Sequence, residues 1–308
     1  MSKIESALAK ARARGIQLAS TAGSRKTGTD LVPTQGRSLV DRQVREAAAA
    51  LDLQRMQEPW LLDQGALAER QIIHPGMADT NAAMAFRDLR TKILQAAKEN
   101  CTIVVTSCAK GRDSASVATN LAVSFSLDDS KTAVLMNCDL TAPSIDRLVP
   151  SENERGITDY LRTASVKLEQ IIYPVGLPRL RVIPAGKSQD HMAEYFTLGK
   201  MSQLLSELRA RHADRYVVMN APPIYDSADT RVLVELADYA VLVVPYGCVT
   251  ESQVTNAARM IGEKKLLGAV FSEIPSLPSG HRGVLGWLAR LVGVGQVPSR
   301  NMTISRKS

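Results

Sequence analysis

Between residues 80 and 274, short apolar runs alternate with longer runs whose apolar positions recur every three or four residues. The apolar runs are TIVVTS (102–107), TAVLMNCDL (132–140), LRVIPAG (180–186), YVVMNAPP (216–223), YAVLVVPYG (239–247) and LGAVFSEI (267–274). Runs this short, rich in β-branched residues, predict strands buried on both faces. Helical segments are predicted over 82–97, 116–126, 200–212 and 251–264. Strands alternating with amphipathic helices predict an α/β fold, a mostly parallel sheet with helices on both faces. Ligands of such sheets bind outside the carboxyl ends of the strands. The polar residues that directly follow each strand are therefore the candidate site.

The flanks read differently. Ser2-x-x-Glu5 is a capping box ahead of Ile4, Leu8 and Ala11 at helical spacing, with Lys10, Arg12 and Arg14 on other faces. This predicts a short basic amphipathic helix, which either docks on a partner, lies on acidic lipid or is a loosely ordered capped helix. Residues 18–38 have the Ser, Thr, Gly and basic composition of a linker, and 39–56 are rich in helix formers. The tail after Pro275 is Gly/Pro-rich except for VLGWLARLVGV (284–294), whose Val284, Trp287, Leu288 and Leu291 share one helical face. That stretch is too short to span a bilayer, which takes about 20 residues. It is read as an interfacial or partner-docking segment, or as one that packs back on the domain. The expected organisation is a basic extension (1–75), an α/β domain (76–274) and a flexible tail (275–308).

Composition narrows the class without choosing a function. The chain has 308 residues, 45% hydrophobic and 22% charged, as soluble globular proteins do. The start MSKIESALAKARARG lacks the apolar region of a secretory signal. Cys101, Cys108, Cys138 and Cys248 show no C-x-x-C spacing and read as reduced, mostly core thiols rather than metal ligands. The net charge of +7 is compatible with nucleic acid, with a lipid surface, or with neither.

Three strand ends carry the chemistry. CAKGRDSAS (108–116) stands where a phosphate-binding loop would lie between strand and helix. A working loop reads G-x-x-x-x-G-K-[ST], its lysine on the phosphates and its hydroxyl on Mg²⁺. Here a glycine survives but the lysine position reads serine. The other two ends are Asn137-Cys138-Asp139-Leu140, with Pro143 following, and Asn220-Ala221-Pro222-Pro223.

This ordered set resembles the P-loop domain of the bacterial tyrosine autokinases of polysaccharide synthesis, relatives of the septum-positioning and partitioning ATPases. It is most similar to their cytosolic subfamily at exopolysaccharide and exosortase loci, whose members also open with a helix like Ile4–Ala11. The similarity covers roughly residues 76–274. Phe86-Arg87-Asp88-Leu89-Arg90-Thr91 matches "FRxLRT", and Asn120-Leu121-Ala122 matches "NLA". Gly156–Leu161 matches "GLxDxL", Ile183–Gly186 matches "LPAG", and Asp229 fits the aspartate after "D-x-P-P".

The resemblance also shows what has changed. The family's G-E-G-K-[ST]-[ST] becomes Gly111-Arg112-Asp113-Ser114-Ala115-Ser116. Ser114 replaces the phosphate-binding lysine, and Ala115 removes the hydroxyl expected on Mg²⁺. Asp113 replaces a glycine, adding a Cβ and a negative charge worth about 1–4 kcal/mol of repulsion against a phosphate. The D-x-D-x-R motif, whose first aspartate is catalytic, reads Asn137, Asp139 and Thr141, and the D-x-P-P aspartate is Asn220. An asparagine that often reads the base is replaced by Ser272. Mg²⁺ prefers anionic oxygen ligands, and an amide lacks the charge. These losses remove nearly every electrostatic element of phosphoryl transfer.

The resulting expectation is a degenerate, non-catalytic kinase-like protein that regulates or scaffolds exopolysaccharide synthesis and export. No catalytic residue is expected: Asn137, Asp139 and Asn220 are vestigial, and no metal site is expected. Residues 110–116, from Lys110 to Ser116, would bind ATP or ADP with Mg²⁺ weakly or not at all. The C-terminal tyrosine cluster that the family phosphorylates is missing, since the last tyrosine is Tyr246. Arg87 and Arg90 resemble the family's oligomer-contact arginines, although the accompanying glutamate is Met84; a solvated basic face is the other reading. Implied partners are a membrane polysaccharide copolymerase, an active kinase paralogue or further copies of the chain. Implied placement is cytoplasmic, at the inner face of the membrane, with peripheral contact through 2–14 and 284–294. The alternative is an active tyrosine autokinase that uses Lys110 or Arg112 in place of the lysine. A partitioning-type protein binding DNA in a salt-sensitive way is the least favoured reading, and no nucleic-acid partner is expected.

Overall fold

Every predicted strand forms, and all but the edge strand near 267–272 are buried along most of their length. The computed structural model describes residues 63–272 apart from 98, 110–112, 142–143, 150–154, 187–195, 197–198 and 213. The expectations for the basic N-terminal helix, the linker, 39–56 and the 284–294 segment lie outside the described residues. All described residues belong to the unit Gln43–Ser308.

The strands are β1 (Thr102–Ser107), β2 (Thr132–Asn137), β3 (Tyr173–Pro174), β4 (Leu180–Ile183), β5 (Arg215–Asn220), β6 (Tyr239–Pro245) and β7 (Leu266–Ser272). They form one seven-stranded sheet in the order β3-β4-β2-β5-β1-β6-β7. All pairings are parallel except that of the short edge strand β3 with β4. The helices are α1 (Gln64–Glu69), α2 (Asn81–Ala96), α3 (Asp113–Ser126), α4 (Ile157–Arg162), α5 (Gly199–Arg211), α6 (Ala228–Leu236) and α7 (Glu251–Ile261).

Side chains alternate across a strand, and each sheet face has its own core. Ile103, Val105, Leu135, Val218 and Val241 pack against Leu67 of α1, Phe86 and Ile93 of α2, and Leu121 of α3. Val104, Val134, Met136, Val217 and Leu242 face the other way, onto Ile157 of α4, Leu204 of α5, Leu233 of α6 and Ile261 of α7. Phe125 of α3 stacks on Tyr216 of β5, with centroids 4.2 Å apart and planes 7° from parallel. Both faces are thus covered, as the apolar runs predict. Among the described residues no helix is long and apolar enough to cross a membrane.

Several boundaries need correction; β4 and β5, for instance, end at Ile183 and Asn220. α3 starts at Asp113 rather than 116, so the end of the expected phosphate loop is already helical. β2 stops at Asn137, because the Asp139 carboxylate accepts bonds from the Thr141 N–H (3.1 Å) and hydroxyl (2.7 Å) and turns the chain. α7 ends at Ile261, where Gly262 takes the left-handed φ of +88°. In addition, Leu67, Ile72 and Ile73 belong to the first core. Packing therefore begins before residue 76.

Candidate nucleotide-type site at the strand ends

The carboxyl ends of β1, β2 and β5 meet because β5 lies between the other two. Parallel register sets Asn137 directly opposite Asn220. Backbone bonds extend the match past the strands: Cys138 N–H donates to the Asn220 carbonyl (2.8 Å), Ala221 N–H to Val105 (2.9 Å) and Ile224 N–H to Ser107 (2.9 Å). The Thr106 and Thr230 hydroxyls both donate to the Pro222 carbonyl, at 2.7 and 2.9 Å. Pro222, which has no N–H of its own, is held through its oxygen.

Lys110, Gly111 and Arg112 lie outside the described residues. Asp113 opens α3, and Ser114 and Ala115 are buried on its first turn. Ser116 is half-buried, and its carbonyl accepts a bond from Asn120 Nδ2 at 3.0 Å. Ser272, at the end of β7, is buried. Asp229 accepts from the Ser227 hydroxyl (3.0 Å) through Oδ2, while its buried Oδ1 has no partner among the described residues.

The centre of the site is a pair of amides. Asn137 and Asn220 are both fully buried. Asn220 Nδ2 donates to Asn137 Oδ1 at 3.0 Å, and the Asp139 backbone N–H donates to the same oxygen at 3.3 Å. Asn137 Nδ2 donates to Asp146 Oδ1 at 2.8 Å. Asp146, on the 3₁₀ turn Ile145–Leu148, also accepts the Ala185 N–H, at 3.0 Å to Oδ1 and 3.2 Å to Oδ2. Burial pushes the Asp146 carboxyl above its ordinary value, and the Asn137 and Ala185 bonds oppose that rise. Asp146 is the residue that sequence reasoning missed. The available signal was an acidic residue between Ile145 and Leu148, shortly after a strand end.

Mg²⁺ with nucleotide is what the family resemblance implies, and the described residues are a poor fit to the metal ion. An amide oxygen has two lone pairs; those of Asn137 are both taken, and Asn220 Oδ1, without a partner among the described residues, is an uncharged ligand. Ala115 offers no hydroxyl, and Asp139 Oδ1 already holds both donors of Thr141. Among the described residues no group of three or more His, Cys, Asp or Glu side chains could hold a metal ion.

The other motif residues meet as structural joints. Ile157 N–H donates to the Pro184 carbonyl (2.9 Å), while the N–H and hydroxyl of Thr158 reach the Ala185 carbonyl at 3.1 and 2.9 Å. The Asp159 carboxylate accepts the Gly156 N–H at 2.8 Å. Asn120 pins the segment before α2, accepting Ile73 N–H (2.8 Å) and donating to the Gln71 carbonyl (3.0 Å). The two arginines of α2 part company. Arg87 is exposed, whereas Arg90, whose side chain is 17% exposed, donates to the Ser124 carbonyl and faces Asp128 at 3.9 Å.

No family model matches the chain. It is 28% identical over 214 residues to tyrosine-protein kinase YwqD of Bacillus subtilis, across 68% of this chain and 89% of that protein. To tyrosine-protein kinase CpsD of Streptococcus agalactiae it is 24% identical over 191 residues, across 61% and 82%. Among solved structures, the chimerical protein CapA2B2 superposes with a TM-score of 0.59 at 20% identity, across 70% of this chain and all (100%) of that one. The kinase domain of the Escherichia coli tyrosine kinase ETK gives 0.58 at 21%, across 79% and 90%. A plasmid partition protein of Borrelia burgdorferi bound to AMPPNP gives 0.51 at 15%, across 68% and 92%. These structures show the fold.

Proposed function

We propose, for a chain that belongs with the bacterial tyrosine-protein kinases, a role without phosphotransfer, as a regulator or scaffold of exopolysaccharide synthesis and export. The observation that carries this reading is the amide pair. Asn137 and Asn220 stand where the resemblance implies carboxylates that support Mg²⁺, and Asn137 Oδ1 is saturated by Asn220 Nδ2 and the Asp139 N–H. The lysine and hydroxyl of the phosphate loop are replaced by Ser114 and Ala115. Phosphoryl transfer depends on positioned cationic groups and metal-held oxygens, and Ser114, Ala115, Asn137 and Asn220 supply neither charge. ATP or ADP with Mg²⁺ binds weakly or not at all. The chain acts by binding, at the inner face of the membrane, to a polysaccharide copolymerase or an active kinase paralogue.

Incubation of the full chain with radiolabelled ATP and Mg²⁺ tests the reading. No label is expected on the chain or on an added tyrosine-containing relative, together with co-purification of a membrane polysaccharide component. Label transfer abolished by Asp139→Asn overturns it. The second reading, an active autokinase using Lys110 or Arg112, is favoured by the retention of Asp139 and by the kinases among its relatives.

A further inference from the structure

The hydrogen-bond chain at the strand ends has a direction and a boundary. It starts at Asn220 on β5, crosses to Asn137 on β2, continues to Asp146 on the 3₁₀ turn and ends at the Ala185 N–H after β4. Three strand ends and one turn are thereby linked through side chains. The geometry points to an amide–carboxylate bridge that does the joining of a bound cation: we infer that it holds the ends of β5, β2 and β4 together in a fixed, divalent-cation-independent arrangement.

Donor and acceptor counting supports this at Asn137 and Asp146, while Asn220 Oδ1 is buried without a hydrogen-bond partner among the described residues. Asn137 Oδ1 accepts twice, its Nδ2 donates to Asp146, and Asp146 spreads the Ala185 N–H over both oxygens. For a cation to take Asn137 Oδ1 as a ligand, two bonds within a fully buried pair must open. The chain also contains one carboxylate, Asp146, so it has no repulsion that a cation must neutralise. With aspartates at 137 and 220, two carboxylates would face each other in register at roughly hydrogen-bond distance. Such a pair needs a cation or a shared proton. The amides remove that need, and with it the means by which cation or nucleotide could loosen or tighten this face.

The inference rests on the non-catalytic reading of the same site, but its test involves no ATP turnover, so either can fail alone. Thermal unfolding of the full chain is followed with EDTA and with millimolar Mg²⁺ or Mn²⁺. The wild-type midpoint is expected to move by less than about 1 °C. The Asn137→Asp/Asn220→Asp variant is expected to be less stable in EDTA and to recover several degrees with the divalent ion. A cation-dependent rise of several degrees in the wild type overturns the inference, as does a double variant as stable as wild type in EDTA. Should the double variant not fold, hydrogen exchange of the wild type decides. The Asp139 and Ala185 amides are expected to exchange slowly and at the same rate with and without Mg·ADP. Fast exchange, or slowing by Mg·ADP, overturns it.

Discussion

Two residues hold their places for opposite reasons. Gly156 is required by close approach: a Cβ there would stand 2.2 Å from the Gly186 nitrogen and 2.4 Å from the Pro184 oxygen, both backbone atoms. Gly156→Ala therefore has to part α4 from the loop after β4. An unfolding free energy lower by about 3 kcal/mol is expected in denaturant titration, the upper end of overpacking costs. Asp214, by contrast, is buried at the amino end of β5 without a well-formed bond to either carboxylate oxygen, although the Thr132 hydroxyl stands close by. Burial holds its carboxyl above the ordinary 3.8, against the opposing pull of Arg215 and Lys131. The folded state thus keeps this proton to higher pH than the unfolded chain does. The stabilisation is complete below the ordinary value and is lost as the pH rises through the raised one. Asp214→Asn removes the buried charge and is expected to add about 1 kcal/mol at neutral pH, the low end of the cost of desolvating such a group. The gain shrinks as the pH is lowered, which denaturant titrations at two pH values would show.

At the scale of elements, α2 and α3 separate structural from surface roles. Arg90 closes the carboxyl end of α3 through the Ser124 carbonyl, where a cation also suits the helix dipole. Arg90→Ala is expected to lower stability by about 1–2 kcal/mol, while Arg87→Ala changes it by less than about 0.5 kcal/mol. Urea titration of both variants, paired with light-scattering measurement of assembly, separates the two roles; equal stability losses contradict the division. In sequence the two arginines look alike, because the helical pattern marks Phe86 and Leu89 as core but says nothing of which arginine meets α3. The strands were legible because continuous apolar runs leave few alternatives. Elements with less redundancy were not: α6 is short, and β3 has two residues. The strand ends at 137 and 220 were legible as a site, since polar residues there break long apolar runs. Asp146 was not, because its partner in the bond chain depends on a turn that no motif marks.

For the whole molecule, the four thiols report how the sheet opens. Cys101 precedes β1, Cys108 follows it, Cys138 follows β2, and all three are buried. Burial pushes Cys101 up to about 12 and Cys108 up to about 11, and raises Cys138 further. The thiolate is the reactive form, so these three are protected by both exclusion and protonation. Cys248 is exposed in the turn after β6. Native protein is therefore expected to take up one equivalent of a thiol reagent quickly and three slowly. The slow groups also locate the opening event. Cys101 samples the amino end of the sheet, whereas Cys108 and Cys138 flank the amide bridge at the carboxyl end. A bridge that fixes those ends makes the three slow thiols react together, at a rate governed by unfolding of the whole domain. Mass spectrometry of the labelled sites over time checks this. Early labelling of Cys108 and Cys138, ahead of Cys101, would mean that the face carrying Asn137 and Asn220 opens by itself and that the bridge does not hold it.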